Sequence, residues 1–165
     1  AERRQGAMEF VRNHRVPLLR LPFLLREYFR KQREIIDEVR LFDGLEQVLP
    51  AMARTCRLGV VSSNHPHNIR LCLEGNGVAD LFESVIGIGR IAGKERAISK
   101  ALARMKVAPQ ECLYVGDEIR DVDAAHQAGV HSAAVLWGVH PEDLLRERAP
   151  HYVLRRSADL LDLPL

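Results

Sequence analysis

What the sequence has little of already narrows its class. Its three cysteines, Cys56, Cys72 and Cys112, are odd in number, sit in apolar contexts and form no Cys-x-x-Cys pair. A disulfide framework and a structural zinc site are therefore not expected, and a reducing compartment, the cytoplasm, fits best. Long apolar runs are missing as well. The most apolar stretch near the start, residues 16–25, is broken by Pro17, Arg20 and Pro22, is too short to span a bilayer and lacks a signal-peptide cleavage pattern. No membrane partner is expected. Neither sign of charge dominates: 24 basic and 22 acidic residues leave a net +2, although the basic ones crowd the first forty positions. That balance does not imply a nucleic-acid partner. Low-complexity tracts and internal repeats are absent, and the chain opens on Ala1 rather than Met, which points to a processed, trimmed or incomplete chain.

What is present reads as one soluble domain with a small appendage. At 165 residues, 47% hydrophobic and 28% charged, the chain is long enough to bury one sizeable core. Residues 2–40 have helical composition, broken at Val16-Pro17 and at Pro22, so two or three helices are expected there. In the last of them Leu24, Leu25, Tyr28, Phe29, Gln32, Ile35, Ile36 and Val39 recur at three and four spacing and make one largely apolar face, opposite Arg26, Arg30, Lys31 and Arg33. A turn at residues 42–45 follows, and Asp43 or Gly44 is expected to cap a helix reaching about Thr55.

Strand and helix then alternate to the end. The pattern predicts strands over 58–62, 84–88, 112–115, 132–136 and 152–154, and helices over 66–74, 93–105, 120–127 and 141–148. Ser63 or Asn64 caps the helix that has Pro66 in its first turn, Gly75-Asn76-Gly77 stops it, Gly129 ends a later one, and Ser157 caps a final turn. Strands separated by amphipathic helices mean βαβ units, right-handed crossovers and a parallel sheet, so the fold class is α/β.

Three loops at strand ends carry polar groups, where open α/β sheets bind ligands. Ser62-Ser63-Asn64 offers hydroxyls and the free amides of a helix start to an anion; for Ser63 and Asn64 a helix-capping role competes. Lys94 stands at a helix start, where a cation is unfavourable against the helix dipole, so a ligand is the natural reason for it; Lys100 is the competing lysine. Asp117 and Asp121 lie four residues apart just after Gly116, so both can face one crevice, although capping acids would share that spacing.

Two motifs imitate nucleotide sites. Gly87-Ile88-Gly89-Arg90-Ile91-Ala92 matches G-x-G-x-x-A, but no strand ends in an acid about 20 residues beyond it. Gly89 to Lys94 imitates a phosphate loop with one residue too few between its glycines, and Glu95 stands where Ser or Thr should be. His65 and His67 straddle Pro66 without a third ligand and read as surface residues.

Taken in order, Val60-Val61-Ser62, Gly93-Lys94 and Gly116-Asp117-Glu118-Ile119-Arg120-Asp121 resemble the haloacid dehalogenase superfamily, specifically its phosphoglycolate-phosphatase-like members, over about residues 41–161. Leu113-Tyr114-Val115 and the helix end Ala124 to Gly129 add to the likeness. The resemblance implies a three-layer, doubly wound parallel sheet over residues 41–165 and a small helical cap over residues 1–40. It implies a magnesium-dependent phosphatase acting on a small phosphorylated metabolite, phosphoglycolate being the nearest guess. Ser62, with Ser63 and Asn64, would bind the phosphoryl group and Lys94 would neutralise it. Asp117, with Glu118 beside it, would bind Mg2+, and Asp121 would support the metal shell or Lys94. In the cap, Arg12, His14 and Arg20 could read a substrate, against a plain role as surface charge.

One departure matters. The family's Asp-x-Asp-x-Thr strand, which carries the nucleophile of an aspartyl-phosphate mechanism, has no counterpart here; Phe42-Asp43-Gly44-Leu45 lacks the first Asp and the Thr, and Asp43 reads as a helix cap. Because that strand belongs between those ending at Ser62 and Gly116, its loss should leave two apolar edges unpaired. The expectation is that the true N-terminus is missing, that the parent protein is the enzyme, and that the chain as it stands is inactive. Two rivals remain: a non-catalytic fragment that binds phosphate compounds or a partner chain, and a dinucleotide-binding domain built on Gly87 and Gly89.

Overall fold

The computed structural model describes Phe23 and residues 36–87 and 93–164. The expected cap therefore lies largely outside the described residues, as do Arg12, His14, Arg20 and the Ile88–Ala92 part of the glycine motif. Among the described residues from Ile36 onward, five strands and five α-helices follow in order: α1 (Leu45–Met52), β1 (Leu58–Ser62), α2 (Pro66–Gly75), β2 (Phe82–Gly87), α3 (Lys94–Met105), β3 (Leu113–Gly116), α4 (Ile119–Ala128), β4 (His131–Val135), α5 (Glu142–Arg146) and β5 (Tyr152–Leu154). Short 3-10 turns precede β2 at Ala79–Leu81 and β3 at Pro109–Glu111, and another closes the chain at Ser157–Asp162.

All described strand pairs are parallel. β1 pairs with β2, putting Ser62 opposite Gly87, while β3 pairs with β4 and β4 with β5. Among the described residues, β1 and β3 are not paired with one another, and each has a strand on one side only. Tyr114 spans the interval, its hydroxyl donating to the Val61 carbonyl at 3.3 Å.

Alternation along the strands sends successive side chains to opposite layers. Val60, Val85 and Phe82 pack under α2 with Ile69 and Leu73, and Ala133, Val135 and Leu154 pack under α1 and the closing turn with Val48 and Leu160. On the opposite face, Val61 and Ile86 meet Ala97 and Ala101 of α3, and Tyr114 meets Ile98 and Leu102 of α3 and Ala124 and Ala125 of α4. Leu145 of α5 seals Val122 and Ala134. The result is α/β, with helices on both faces of parallel strands.

Several helix ends differ from expectation. The cap of α2 is His65, whose Nδ1 accepts the His67 amide at 3.3 Å, because Asn64 is engaged elsewhere: its Oδ1 accepts the His65 amide and the Asn68 side chain. Gly44, not Asp43, precedes α1, at φ 83° in the left-handed region that glycine enters without strain. Ser157 does not cap the last turn; its hydroxyl donates to the Asp43 carbonyl at 2.7 Å, and Asp159 takes the Arg155 and Arg156 amides. β2 begins two residues before the expected start.

Candidate active site

The carboxyl ends of β1 and β3, together with the start of α3, bring the sequence-selected residues to one end of the sheet. Gly93 precedes α3 and Lys94 is its first residue. Its ammonium meets Asp121 in an ion pair whose side chains are only 13% and 7% exposed. Water is therefore largely excluded from this contact, which makes it stronger than a surface pair and costly to break from one side. Asp121, in the first turn of α4, is fully engaged. Its Oδ1 takes Lys94 and lies 3.5 Å from the Tyr114 hydroxyl, and its Oδ2 accepts the Glu118 amide at 3.0 Å. Between the two roles the resemblance left open for Asp121, the geometry puts this carboxylate on Lys94.

Tyr114 was not selected as a site residue from sequence. Facing α3 and α4, it links Val61, one residue before Ser62, to Asp121. Burial, then the Asp121 charge, pushes its phenol far above its ordinary value of 10.0, so the hydroxyl stays protonated and remains a donor. The alternation of β3 could have placed Tyr114 on the layer of Asp121, but nothing in the spacing names the Val61 carbonyl.

Ser62 ends β1, and its Oγ accepts the Asn64 amide at 3.1 Å, which leaves its proton free to donate. Ser63 and Asn64 follow it toward the start of α2, with Asn64 tied to His65 and Asn68. Asn68 is 1% exposed.

Asp117, just beyond β3, uses one oxygen structurally. Its Oδ2 accepts the Val139 amide at 2.8 Å, and its carbonyl accepts the His140 amide at 3.1 Å. Among the described residues, its Oδ1 accepts no hydrogen bond. Glu118, the second expected metal ligand, forms an ion pair with Arg120. Burial works against the Arg120 charge, but the bond to Glu118 and the charges of Glu118, Asp121 and Asp117 together outweigh it and hold its pKa above the ordinary arginine value. Magnesium needs oxygen donors, but only one or two protein carboxylates when phosphate oxygens and waters complete its shell. Asp117 Oδ1 fits as one such donor. No group of three or more His, Cys, Asp or Glu among the described residues could hold a metal alone. The donor set fits magnesium as a contribution to a shared shell.

Residues 4–135 match the family model described as haloacid dehalogenase-like hydrolase. The phosphoglycolate phosphatase of Synechococcus elongatus is 36% identical over 139 residues, covering 84% of this chain and 66% of that protein. The pyrophosphatase PpaX of Listeria monocytogenes is 26% identical over 140 residues, covering 82% of this chain and 64% of its own length. The chain thus spans slightly less than two thirds of these relatives. In fold, a haloacid dehalogenase-like family hydrolase from Streptococcus pneumoniae superposes with a TM-score of 0.76 over 83% of this chain and 65% of its own, at 21% identity. A Lactobacillus plantarum structure reaches 0.84 over 96% of this chain and 77% of its own, at 18% identity.

Proposed function

This chain belongs to the haloacid dehalogenase-like hydrolases, and on that premise we propose that its parent protein is a magnesium-dependent phosphatase acting on a small phosphorylated metabolite. The observation that carries the reading is the water-shielded Lys94–Asp121 pair, whose carboxylate lies four residues beyond Asp117, an acid whose Oδ1 accepts no hydrogen bond among the described residues. A phosphoryl group needs positioned cations and donors around its oxygens more than elaborate covalent chemistry.

Each residue's part follows from its remaining bonding capacity. Lys94 gives one of its three protons to Asp121, so the other two can meet phosphoryl oxygens while Asp121 keeps the ammonium in place. Ser62 donates its free proton to a third oxygen, and the amides around Ser63 and Asn64 at the start of α2 favour the same anion. Asp117 Oδ1 would hold Mg2+, with Glu118 beside it, and the ion would supply positive charge to the phosphoryl oxygens. None of these residues is assigned as the nucleophile. The unpaired edges of β1 and β3 flank Ser62 and Asp117, and a strand pairing with both would end among them, which supports a nucleophile delivered from there.

The nearest substrate guess is phosphoglycolate, with pyrophosphate the alternative that the Listeria relative's name raises. The test assays the full-length gene product on para-nitrophenyl phosphate, phosphoglycolate and pyrophosphate, with and without Mg2+. Hydrolysis should require the ion and fall at least about a hundredfold in Asp117→Asn, the scale for removing a group that stabilises transition-state charge. Undiminished turnover in that variant would overturn the metal assignment. A second reading, binding of phosphate compounds or a partner strand without hydrolysis, rests on the same open edges. It predicts phosphate binding by the full-length product with no turnover of any of the three substrates.

A further inference from the structure

The loop between β4 and α5 contains no residue selected from sequence, yet it meets the Asp117 turn at three hydrogen bonds. Val139 gives its amide to Asp117 Oδ2 at 2.8 Å, His140 gives its amide to the Asp117 carbonyl at 3.1 Å, and the His140 ring Nδ1 accepts the Ile119 amide at 3.0 Å. Gly138 is pressed against the same carboxylate, for a Cβ there would lie 2.5 Å from Asp117 Cγ.

Ile119 is the first residue of α4, and its amide has no partner within the helix. The side chain that meets it comes from 21 residues away in sequence. To accept, Nδ1 must be bare, so the ring carries its proton on Nε2. The bond pins the far end of the loop to α4, while Trp137 anchors the near end against the β4 and β5 core. Between these anchors Val139 is 45% exposed, so its side chain does little to hold the loop. Its amide reaches Oδ2 because both ends are fixed.

We propose that His140, helped by the missing side chain of Gly138, is a positioning residue that decides which oxygen of Asp117 is presented to the metal. The inference rests on the phosphatase reading for the identity of the ion. With Oδ2 held by Val139, only Oδ1 is offered, and the carboxylate is ordered before the ion arrives. Partners that orient a ligating carboxylate typically change metal affinity about 10–100-fold when removed.

The test measures Mg2+ affinity of the full-length gene product without substrate, by displacement of Mn2+ followed by electron paramagnetic resonance, in His140→Ala, His140→Asn, Gly138→Ala and Asp117→Asn. His140→Ala should weaken affinity about tenfold, and turnover lost at low Mg2+ should return at high Mg2+. His140→Asn should restore affinity, since its amide oxygen can accept where Nδ1 did. Gly138→Ala keeps every hydrogen-bonding group and should also weaken affinity, so it serves as the independent reading if His140→Ala does not fold. Affinity unchanged in folded His140→Ala, or in Gly138→Ala where the former is unfolded, overturns the inference, provided Asp117→Asn abolishes binding. If Asp117→Asn binds as tightly as the unmodified protein, the metal assignment itself has failed, and the inference falls with it.

Discussion

Gly116 makes room for Asp121: a Cβ on Gly116 would come within 2.5 Å of the Asp121 Cγ. Gly116 is the last paired residue of β3, opposite Ala134, and not the break after the strand. Glycine is needed there for space, because the next helix folds its first-turn carboxylate back over the strand end. Gly116→Ala should therefore push Asp121 off Lys94 and cost about 1–3 kcal/mol, the range for overpacking a closed site. Urea denaturation measures this, and an alanine variant as stable as the unmodified protein would show that the turn yields easily.

The Lys94–Asp121 pair should behave as a unit. Removing one partner leaves a charge in a site that is about nine-tenths shielded from water. Lys94→Met and Asp121→Asn should each cost about 3 kcal/mol, the lower end for breaking a buried pair, and the double variant should cost clearly less than the sum. A double-mutant cycle on the chain reads this coupling directly. Additive losses would mean that the two side chains are held independently.

Much of this arrangement was legible in the sequence, and the boundary has physical causes. Alternation and punctuation located β1 and β5 to the residue, and they placed Lys94 at a helix start, Asp117 after a strand and Asp121 in a first helical turn, because strand ends and helix starts announce themselves locally. Helix caps were less legible: His65 took the role expected of Ser63 or Asn64, since a cap depends on φ and ψ and on which side chains are already engaged. The start of β2 was displaced because the 3-10 turn before it carries apolar residues without a clean period. The contacts that complete the site were hidden. Lys94 meets Asp121 across 27 residues, Tyr114 meets Val61 across 53, and the loop at Val139 meets Asp117 across 22. Spacing along the chain does not encode which loop folds over which strand end.

Tyr114 offers a separate test of the contact between β1 and β3. Tyr114→Phe keeps the ring in its apolar setting among Ile98, Leu102 and Ala124 and removes only the hydroxyl. The Val61 carbonyl then loses its donor, and stability should fall by about 1 kcal/mol. The raised phenol pKa adds a pH signature, with burial the first cause and the Asp121 charge the second. Folding favours the neutral phenol, so that contribution is complete below the ordinary value of 10.0 and is lost as pH rises above it. An ultraviolet tyrosine titration should show Tyr114 ionising only as the protein unfolds, and its titration in the native state would contradict the assignment.

At the opposite end of β4, three exposed imidazoles surround a buried serine. Ser132 is 1% exposed; its amide donates to His151 Nδ1 at 3.2 Å, and its hydroxyl accepts the His151 amide at 3.3 Å. The rings of His126 and His131 stand edge-on to His151, with centroids 5.6 and 4.9 Å away. Protonating Nδ1 would replace the acceptor that the Ser132 amide now meets with a second donor. Burial first, then the charges of His131 and His126, hold the His151 pKa below its ordinary value of 6.5. Since the folded value is the lower one, the stabilisation is complete above the unfolded pKa and is lost as pH falls through the folded value. His151→Asn keeps an acceptor where Nδ1 stood and cannot titrate. Its thermal midpoint should therefore decline less between about pH 7 and pH 5 than that of the unmodified protein. Two parallel profiles would place the acid sensitivity elsewhere. Because asparagine also gives up the ring contacts with His126 and His131, the slopes of the two profiles, and not their absolute midpoints, isolate the effect of the proton on the junction of β4 and β5.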